Sequence, residues 1–78
     1  MNRLQACFTT TFGIAPEEVT DALAYQSIPQ WDSVGHMALV AELETQFGIM
    51  LDTEDIIGMS TVAKAREIVH KHGADPNG

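Results

Sequence analysis

The sequence predicts a small all-α protein, a four-helix bundle with three longer helices, one short third helix and a long loop between helices one and two. Apolar residues recur at spacings of three and four along three separate segments. Glycines and capping residues stand at the ends of these segments, where helices begin and end. A chain of 78 residues has room for one small domain, and a hydrophobic fraction of 45% is typical of a folded one.

The first helix is predicted over residues 2–12, with Gly13 as its natural end. Its buried face is predicted to carry Leu4, Cys7, Phe8, Thr11 and Phe12. Cys7 is interpreted as a small core hydrophobe. Because it is the single cysteine, an internal disulfide and a cysteine-based zinc site are both excluded.

A long segment without lasting periodicity separates the first two helices, from Ile14 to Trp31. Pro16 and the two acids after it favour a single helical turn. Loops of this length are normally functional or held down by their own apolar side chains, and we expect both here. Trp31 is expected to anchor the loop against the helices, so that Trp31→Ala lowers stability by about 3 kcal/mol.

The second helix begins at a cap, either Asp32 or Ser33, and is predicted to run to about Phe47 and stop at Gly48. One stripe is expected to face inward: His36, Leu39, Val40, Leu43 and Phe47. A second apolar strip consists of Val34, Met37, Ala38 and Ala41. Periodicity leaves two explanations open for this strip, a surface for a partner or a face covered by neighbouring helices.

Two more helices are predicted in the remainder of the chain. A brief third helix follows Asp52 and ends at Gly58. Ser60 is expected to cap a last helix, residues 61–72, that buries Val62, Ala65, Ile68 and Val69. We therefore predict one domain over residues 1–72 and a flexible tail over residues 73–78.

The charge balance restricts the classes of partner. The net charge is −7, from four Lys and Arg against 11 Asp and Glu. Nucleic acids and anionic membranes bind basic surfaces, so neither is expected as a partner of this acidic chain. Proteins with basic surface patches are the expected partners. No apolar run approaches membrane-spanning length and no secretion signal opens the chain, so we expect a cytoplasmic monomer.

The types and spacing of polar residues argue against three kinds of chemical site. Asp32, Ser33 and His36 are the residue types of a hydrolase triad, but a small bundle supplies neither oxyanion hole nor cleft. Counting from Asp52, an EF-hand would need a glycine at the sixth position and an acid at the twelfth, and neither is present. His70 and His72 point in different directions on a helix and are expected to face solvent or fray rather than bind a metal. Glu42 and Glu44 are expected to be solvated charges.

Ser33 has a different significance as an attachment point. A serine at a helix N-terminus is exposed among backbone N–H groups that lack acceptors. A phosphate ester there would be stabilised by those donors and by the helix dipole. Taken alone, however, an Asp-Ser pair before a helix is better explained as a helix cap, because such residues cap helices in many proteins.

Landmarks along nearly the whole chain resemble the acyl carrier protein family. They cover the region from Leu4 to Val69 in the family's order and spacing. The matching segments are Pro16-Glu17-Glu18-Val19, Asp32-Ser33-Val34, Leu43-Glu44-Thr45-Gln46-Phe47-Gly48-Ile49, Asp52-Thr53-Glu54-Asp55 and Ser60-Thr61-Val62. The triplet Trp31-Asp32-Ser33 is similar to a variant of specialised, stand-alone carriers.

This resemblance implies a carrier that is not itself an enzyme. Ser33 would receive 4′-phosphopantetheine from coenzyme A through a phosphopantetheinyl transferase, with Asp32 assisting the modification. The arm would carry an acyl or aminoacyl group as a thioester between activating and acyl-transfer enzymes. The second helix would be the docking surface, through Val34, Met37, Ala38, Ala41, Glu42 and Glu44.

Departures from the family pattern indicate which kind of pathway the carrier would serve. The family's Leu-Gly pair before Asp-Ser is absent, and positions that are often acidic in fatty-acid carriers are Ala38 and Thr45. We therefore expect a specialised lipid, secondary-metabolite or aminoacyl pathway rather than the principal fatty-acid pathway. The alternative is a small acidic interaction module that docks through its second helix and is never modified.

Overall fold

The computed structural model describes residues 2–77 as an all-helical bundle. Its helices are α1 (Arg3–Phe12), α2 (Ser33–Phe47), α3 (Thr53–Gly58) and α4 (Val62–Lys71), with a 3-10 turn at Pro16–Glu18. Within the described range there is no strand, and a lone antiparallel bridge joins Ala24 to Thr61. The predicted fold class, with its short third helix and long first loop, is confirmed.

Caps fix both ends of α1 and the C-terminal end of α2. The Asn2 side chain accepts a hydrogen bond from the Gln5 N–H at 2.8 Å, and Gln5 returns one to the Asn2 backbone, which forms a capping box. Gly13 and Gly48 follow α1 and α2 with φ of 66° and 64°. Glycine adopts this left-handed conformation at little cost, which explains why both predicted stops are confirmed.

The core lies where α1 crosses α2 and where α4 and the loop cover them. Among residues 2–77, fourteen hydrophobic side chains are buried: Leu4, Cys7, Phe8, Phe12, Val19, Trp31, Leu39, Val40, Leu43, Leu51, Met59, Val62, Ala65 and Val69. His36, Phe47 and Ile68 were also predicted to face inward, and they are partly buried. Thr11 is likewise only partly buried.

The long loop is ordered by contacts with the start of α4. The Tyr25 N–H donates to the Ser60 carbonyl at 2.9 Å, and the Val62 N–H donates to the Leu23 carbonyl at 3.0 Å. Val19 is buried, and Leu23, Tyr25 and Ile28 pack against the core. The expectation that apolar side chains hold this loop down is confirmed.

The predicted start of the last helix was wrong by one residue. Thr61, rather than Ser60, caps α4, because its side chain accepts from the Lys64 N–H at 3.1 Å. Ser60 instead offers its carbonyl to the Tyr25 N–H, and Gly58 lies within α3 with Met59 as its C-cap. The bridge to Ala24 holds Thr61 extended, which is the backbone conformation an N-cap requires.

His72 was wrongly predicted to face solvent or fray. Its Nε2 lies 2.6 Å from Oδ2 of Asp55, a carboxylate on α3 that is only 3% exposed. The Lys71 ammonium donates to the other oxygen, Oδ1, at 2.5 Å. The C-terminal end of α4 is thereby tied to α3.

These contacts set a pH dependence. Hydrogen bonds from Lys71 first, and His72 second, lower the pKa of the Asp55 carboxyl well below its usual range. The unfolded carboxyl has a pKa of about 4. The two contacts of Asp55 should therefore stabilise the fold fully above that pH, and their stabilisation should be lost as the pH falls below it. Urea unfolding from pH 7 to pH 2 should show a smaller loss of stability for Asp55→Asn than for the unchanged protein. Parallel curves for the two proteins would contradict this coupling.

Cys7 is confirmed as a core residue, and its burial should make the thiol inert. The side chain is 1% exposed, and burial, with a smaller contribution from the Glu42 charge, raises its pKa to about 11. At pH 8 only about one thiol in a thousand would be ionised. A thiol-reactive disulfide reagent should therefore label the protein immediately in concentrated urea but only slowly in buffer. Equal labelling rates in both solutions would show that the thiol is accessible.

The predicted tail returns to the first helix. Pro76 is buried, and its carbonyl accepts a hydrogen bond from the Leu4 N–H at 3.4 Å. The domain boundary at residue 72 and the flexibility of residues 73–78 stay predictions. Met1 and Gly78, the outer ends of the predicted domain and tail, lie outside the described residues.

Candidate functional site

Ser33 is the first residue of α2, and Asp32 is its cap. The Asp32 Oδ1 accepts a hydrogen bond from the Gly35 N–H at 2.8 Å, which decides between the two capping residues that the sequence offered. Ser33 is exposed, and its hydroxyl makes no hydrogen bond with residues 2–77. A serine that is not needed as the cap is open to chemistry from solvent.

The electrostatics at this end of α2 favour an anion. In the first turn of any helix the N–H groups lack intrahelical acceptors, and here Asp32 satisfies only that of Gly35. The N–H groups of Ser33 and Val34 therefore point outward at the positive end of the helix dipole. A phosphate joined to the Ser33 oxygen would lie against these donors.

An aromatic cluster holds the loop immediately before the site. Trp31 is 0% exposed, and its ring centroid lies 5.3 Å from Phe8 and 5.5 Å from Phe12 of α1. The Trp31 carbonyl also accepts from the Gln26 N–H at 2.8 Å, which closes the turn that leads to Asp32. The predicted anchoring role of Trp31 is confirmed.

His36 links this loop to α3. Its Nδ1 accepts a hydrogen bond from the Trp31 indole N–H at 2.9 Å, and its Nε2 lies 2.7 Å from the Ile56 carbonyl. Since a carbonyl only accepts, the ring is the neutral tautomer that carries its proton on Nε2. Both ring nitrogens are engaged away from Ser33, so the geometry gives this serine no histidine base.

A close backbone approach at Gly35 was missed by the sequence reasoning. A β-carbon built on Gly35 would lie 2.0 Å from the Gln30 carbonyl oxygen and 3.3 Å from the Phe12 ring. The loop can reach the first turn of α2 only because this residue has no side chain. The available signal was a glycine inside an otherwise helical pattern, which usually has a packing reason.

The second apolar strip of α2 faces solvent. Val34 is 78% exposed and Met37 is 53% exposed, and Ala38 and Ala41 are exposed as well. The explanation that neighbouring helices cover this strip was therefore wrong. On α3, Ile57 is exposed too, at 77%.

The two glutamates of α2 are only partly solvated. The Glu42 carboxylate accepts from the Gln46 amide at 3.1 Å. Glu44 accepts from the Leu51 N–H at 2.9 Å and is half-buried, so the expectation of a plain solvated charge was wrong for it. Its contact holds the link after α2 in place, because the Leu51 amide needs an acceptor.

A pocket of about 200 Å³ opens between α2 and α3, and it is lined on the α2 side by His36, one helical turn after Ser33. Its walls are almost entirely apolar, and it is lined by Tyr25, His36, Ile56, Ile57, Met59 and Ser60. Sequence reasoning did not bring these residues together, because they come from three separate segments.

Within residues 2–77, no group of three or more His, Cys, Asp or Glu side chains is arranged to hold a metal ion. Over the same range, no helix has the length and apolar character that crossing a membrane requires.

Comparison with known proteins gives one line of support. No protein-family model matches the chain. The acyl carrier protein of Lactobacillus johnsonii is 28% identical over 71 residues, which cover 91% of this chain and 89% of that protein. This similarity supports a relationship to the acyl carrier protein family and a carrier role in general.

Proposed function

We propose that the protein is a carrier of acyl or aminoacyl groups, modified on Ser33 with 4′-phosphopantetheine, and not itself an enzyme. The observation that carries the proposal is the position of Ser33. Its hydroxyl is exposed and unengaged at the first position of α2, with Asp32 serving as the cap in its place. The similarity to a curated acyl carrier protein supports the same function.

The residues around Ser33 fit the group. In the modification, the Ser33 oxygen would bond to the diphosphate phosphorus of coenzyme A that is nearer the pantetheine, and the hydroxyl proton would pass to a base of the transferase. The bond from that phosphorus to the bridging oxygen would break, and adenosine 3′,5′-bisphosphate would leave. The N–H groups of Ser33 and Val34 favour the resulting phosphodiester charge. When bound, the group supplies a terminal thiol that carries cargo as a thioester.

The docking surface is proposed to be the exposed strip on α2. Val34, Met37, Ala38 and Ala41 offer apolar contact directly beside the attachment point. The net charge of −7 favours partners with basic patches around an apolar centre, among them the transferase and the acyl-handling enzymes. Glu42 fits the rim of such a contact, whereas Glu44 is committed to Leu51.

The Trp-Asp-Ser sequence and the few acids on α2 favour a specialised lipid, secondary-metabolite or aminoacyl pathway. Contacts to such partners would depend more on the apolar strip than on ion pairs. We further propose that the protein works as a cytoplasmic monomer.

Intact mass after incubation with coenzyme A and a broad-specificity transferase tests the proposal. The protein should gain the mass of one phosphopantetheine, and Ser33→Ala should gain none. Ser27→Ala and Ser60→Ala are matched controls, since they remove the chain's other two serines and should leave the gain intact. No gain with several transferases would instead favour the unmodified docking module.

A further inference from the structure

Three groups form a continuous chain of contacts across the site, the indole of Trp31, the imidazole of His36 and the carbonyl of Ile56. The two hydrogen bonds measure 2.9 Å and 2.7 Å. Trp31 belongs to the loop on one side of Ser33, and Ile56 belongs to α3 on the other side. His36 therefore connects the loop to α3 through two hydrogen bonds.

The imidazole has little freedom to move. Its ring lies edge to edge with the indole of Trp31, with centroids 6.2 Å apart and planes 16° apart, as the hydrogen bond between them requires. The edge of Tyr25 meets it at 5.4 Å. Rotation of the ring would break both hydrogen bonds and leave the buried indole N–H without an acceptor, which is costly.

The position of Ser33 depends on the same indole. Trp31 immediately precedes Asp32, whose carboxylate caps α2 through Gly35. If the indole shifts to find another acceptor, the backbone at Asp32 must shift with it, and the cap and the Ser33 hydroxyl change direction. Displacements of about 1 Å at a reacting group can lower a rate by about a hundredfold.

We propose that His36 is a positioning residue for the modification of Ser33, acting through Trp31 on one side and α3 on the other. This role of His36 rests on the proposed function, and it goes beyond it because phosphopantetheine could be attached to Ser33 without any contribution from His36. His36 does not exchange protons with Ser33; it fixes the direction in which the Ser33 hydroxyl is presented to the transferase.

Three variants separate the hydrogen bonds from general packing. His36→Gln keeps one acceptor for the indole and one donor for the Ile56 carbonyl, whereas His36→Leu keeps bulk and loses both. Val69→Ala is the matched control, because it removes buried methyl groups from α4 without touching the chain of contacts. All three are compared at a temperature where circular dichroism shows them folded.

The first measurement is the kinetics of phosphopantetheine transfer from coenzyme A. His36→Leu should lower kcat about tenfold with KM within twofold of the unchanged protein, because the docking strip is intact. His36→Gln should recover most of kcat, and Val69→Ala should match the unchanged protein. A normal kcat for His36→Leu, or an equal loss for leucine and glutamine, would overturn the proposal.

The second measurement is independent of the transferase. The chain has one tryptophan, so its indole N–H gives a single resonance. Hydrogen exchange of that proton should quicken at least about tenfold in His36→Leu and stay slow in His36→Gln. If the indole proton exchanged slowly in all variants, the proposed role of His36 would be overturned, whether or not Ser33 is modified. An unmodified natural protein with the expected exchange pattern would overturn the proposed function instead.

Discussion

Replacing Trp31 by alanine should lower the free energy of unfolding by about 3–5 kcal/mol, the largest loss that we expect from a single substitution. The indole is fully buried and contacts two rings of α1, so its removal leaves a cavity at the centre of the core. It also removes the donor that His36 accepts from. A domain of this size is stable by only about 4–12 kcal/mol, so much of the fold's stability is at stake.

Urea denaturation followed by circular dichroism measures this loss. Trp31→Phe is the matched variant, because it keeps an aromatic ring while it removes the indole N–H and part of the ring volume, and it should lose clearly less stability than alanine. An unchanged urea midpoint for Trp31→Ala would show that the ring does not support the fold and that its burial is incidental.

Gly35→Ala should displace the loop from the first turn of α2. The added methyl carbon would lie 2.0 Å from the Gln30 carbonyl oxygen, and that atom belongs to the backbone, so no side-chain rotation relieves the clash. Overpacking of this kind costs about 1–3 kcal/mol, and here it should also slow the modification of Ser33 because the loop carries Asp32. The effect opposes helix propensity, which by itself would make alanine the better residue by about 1 kcal/mol.

Gly58→Ala provides the control for this substitution. Gly58 is also a helical glycine, but nothing lies within 4 Å of the position that its β-carbon would take. Its replacement should leave stability unchanged or slightly raised. If Gly35→Ala behaved like Gly58→Ala in urea and in the transferase reaction, the close approach of the loop would have no role in the site.

The parts of the fold that sequence reasoning predicted are those with local causes. The end of α1 at Gly13 and the end of α2 at Gly48 depend on residues a few positions apart. The exposure of Ser33 follows from the cap beside it. Periodicity found both apolar faces of α2, although only the structure could decide that Val34 and Met37 face solvent.

The parts that were wrong or missed depend on distant partners. Ser60 and Thr61 are both capping types, and the choice is made by loop residues far away in sequence. His72 finds its carboxylate 17 residues earlier, at Asp55. The contact of Gly35 with the loop requires knowledge of how the chain turns back on itself, which local pattern does not contain.

The most direct test of the account is the mass of the protein isolated from the cells that make it. We expect a polypeptide heavier than its sequence by one phosphopantetheine or its acylated form, with the added mass localised to Ser33 by fragmentation. Isolation of the unmodified polypeptide alone, or localisation of the group to Ser27 or Ser60, would contradict it.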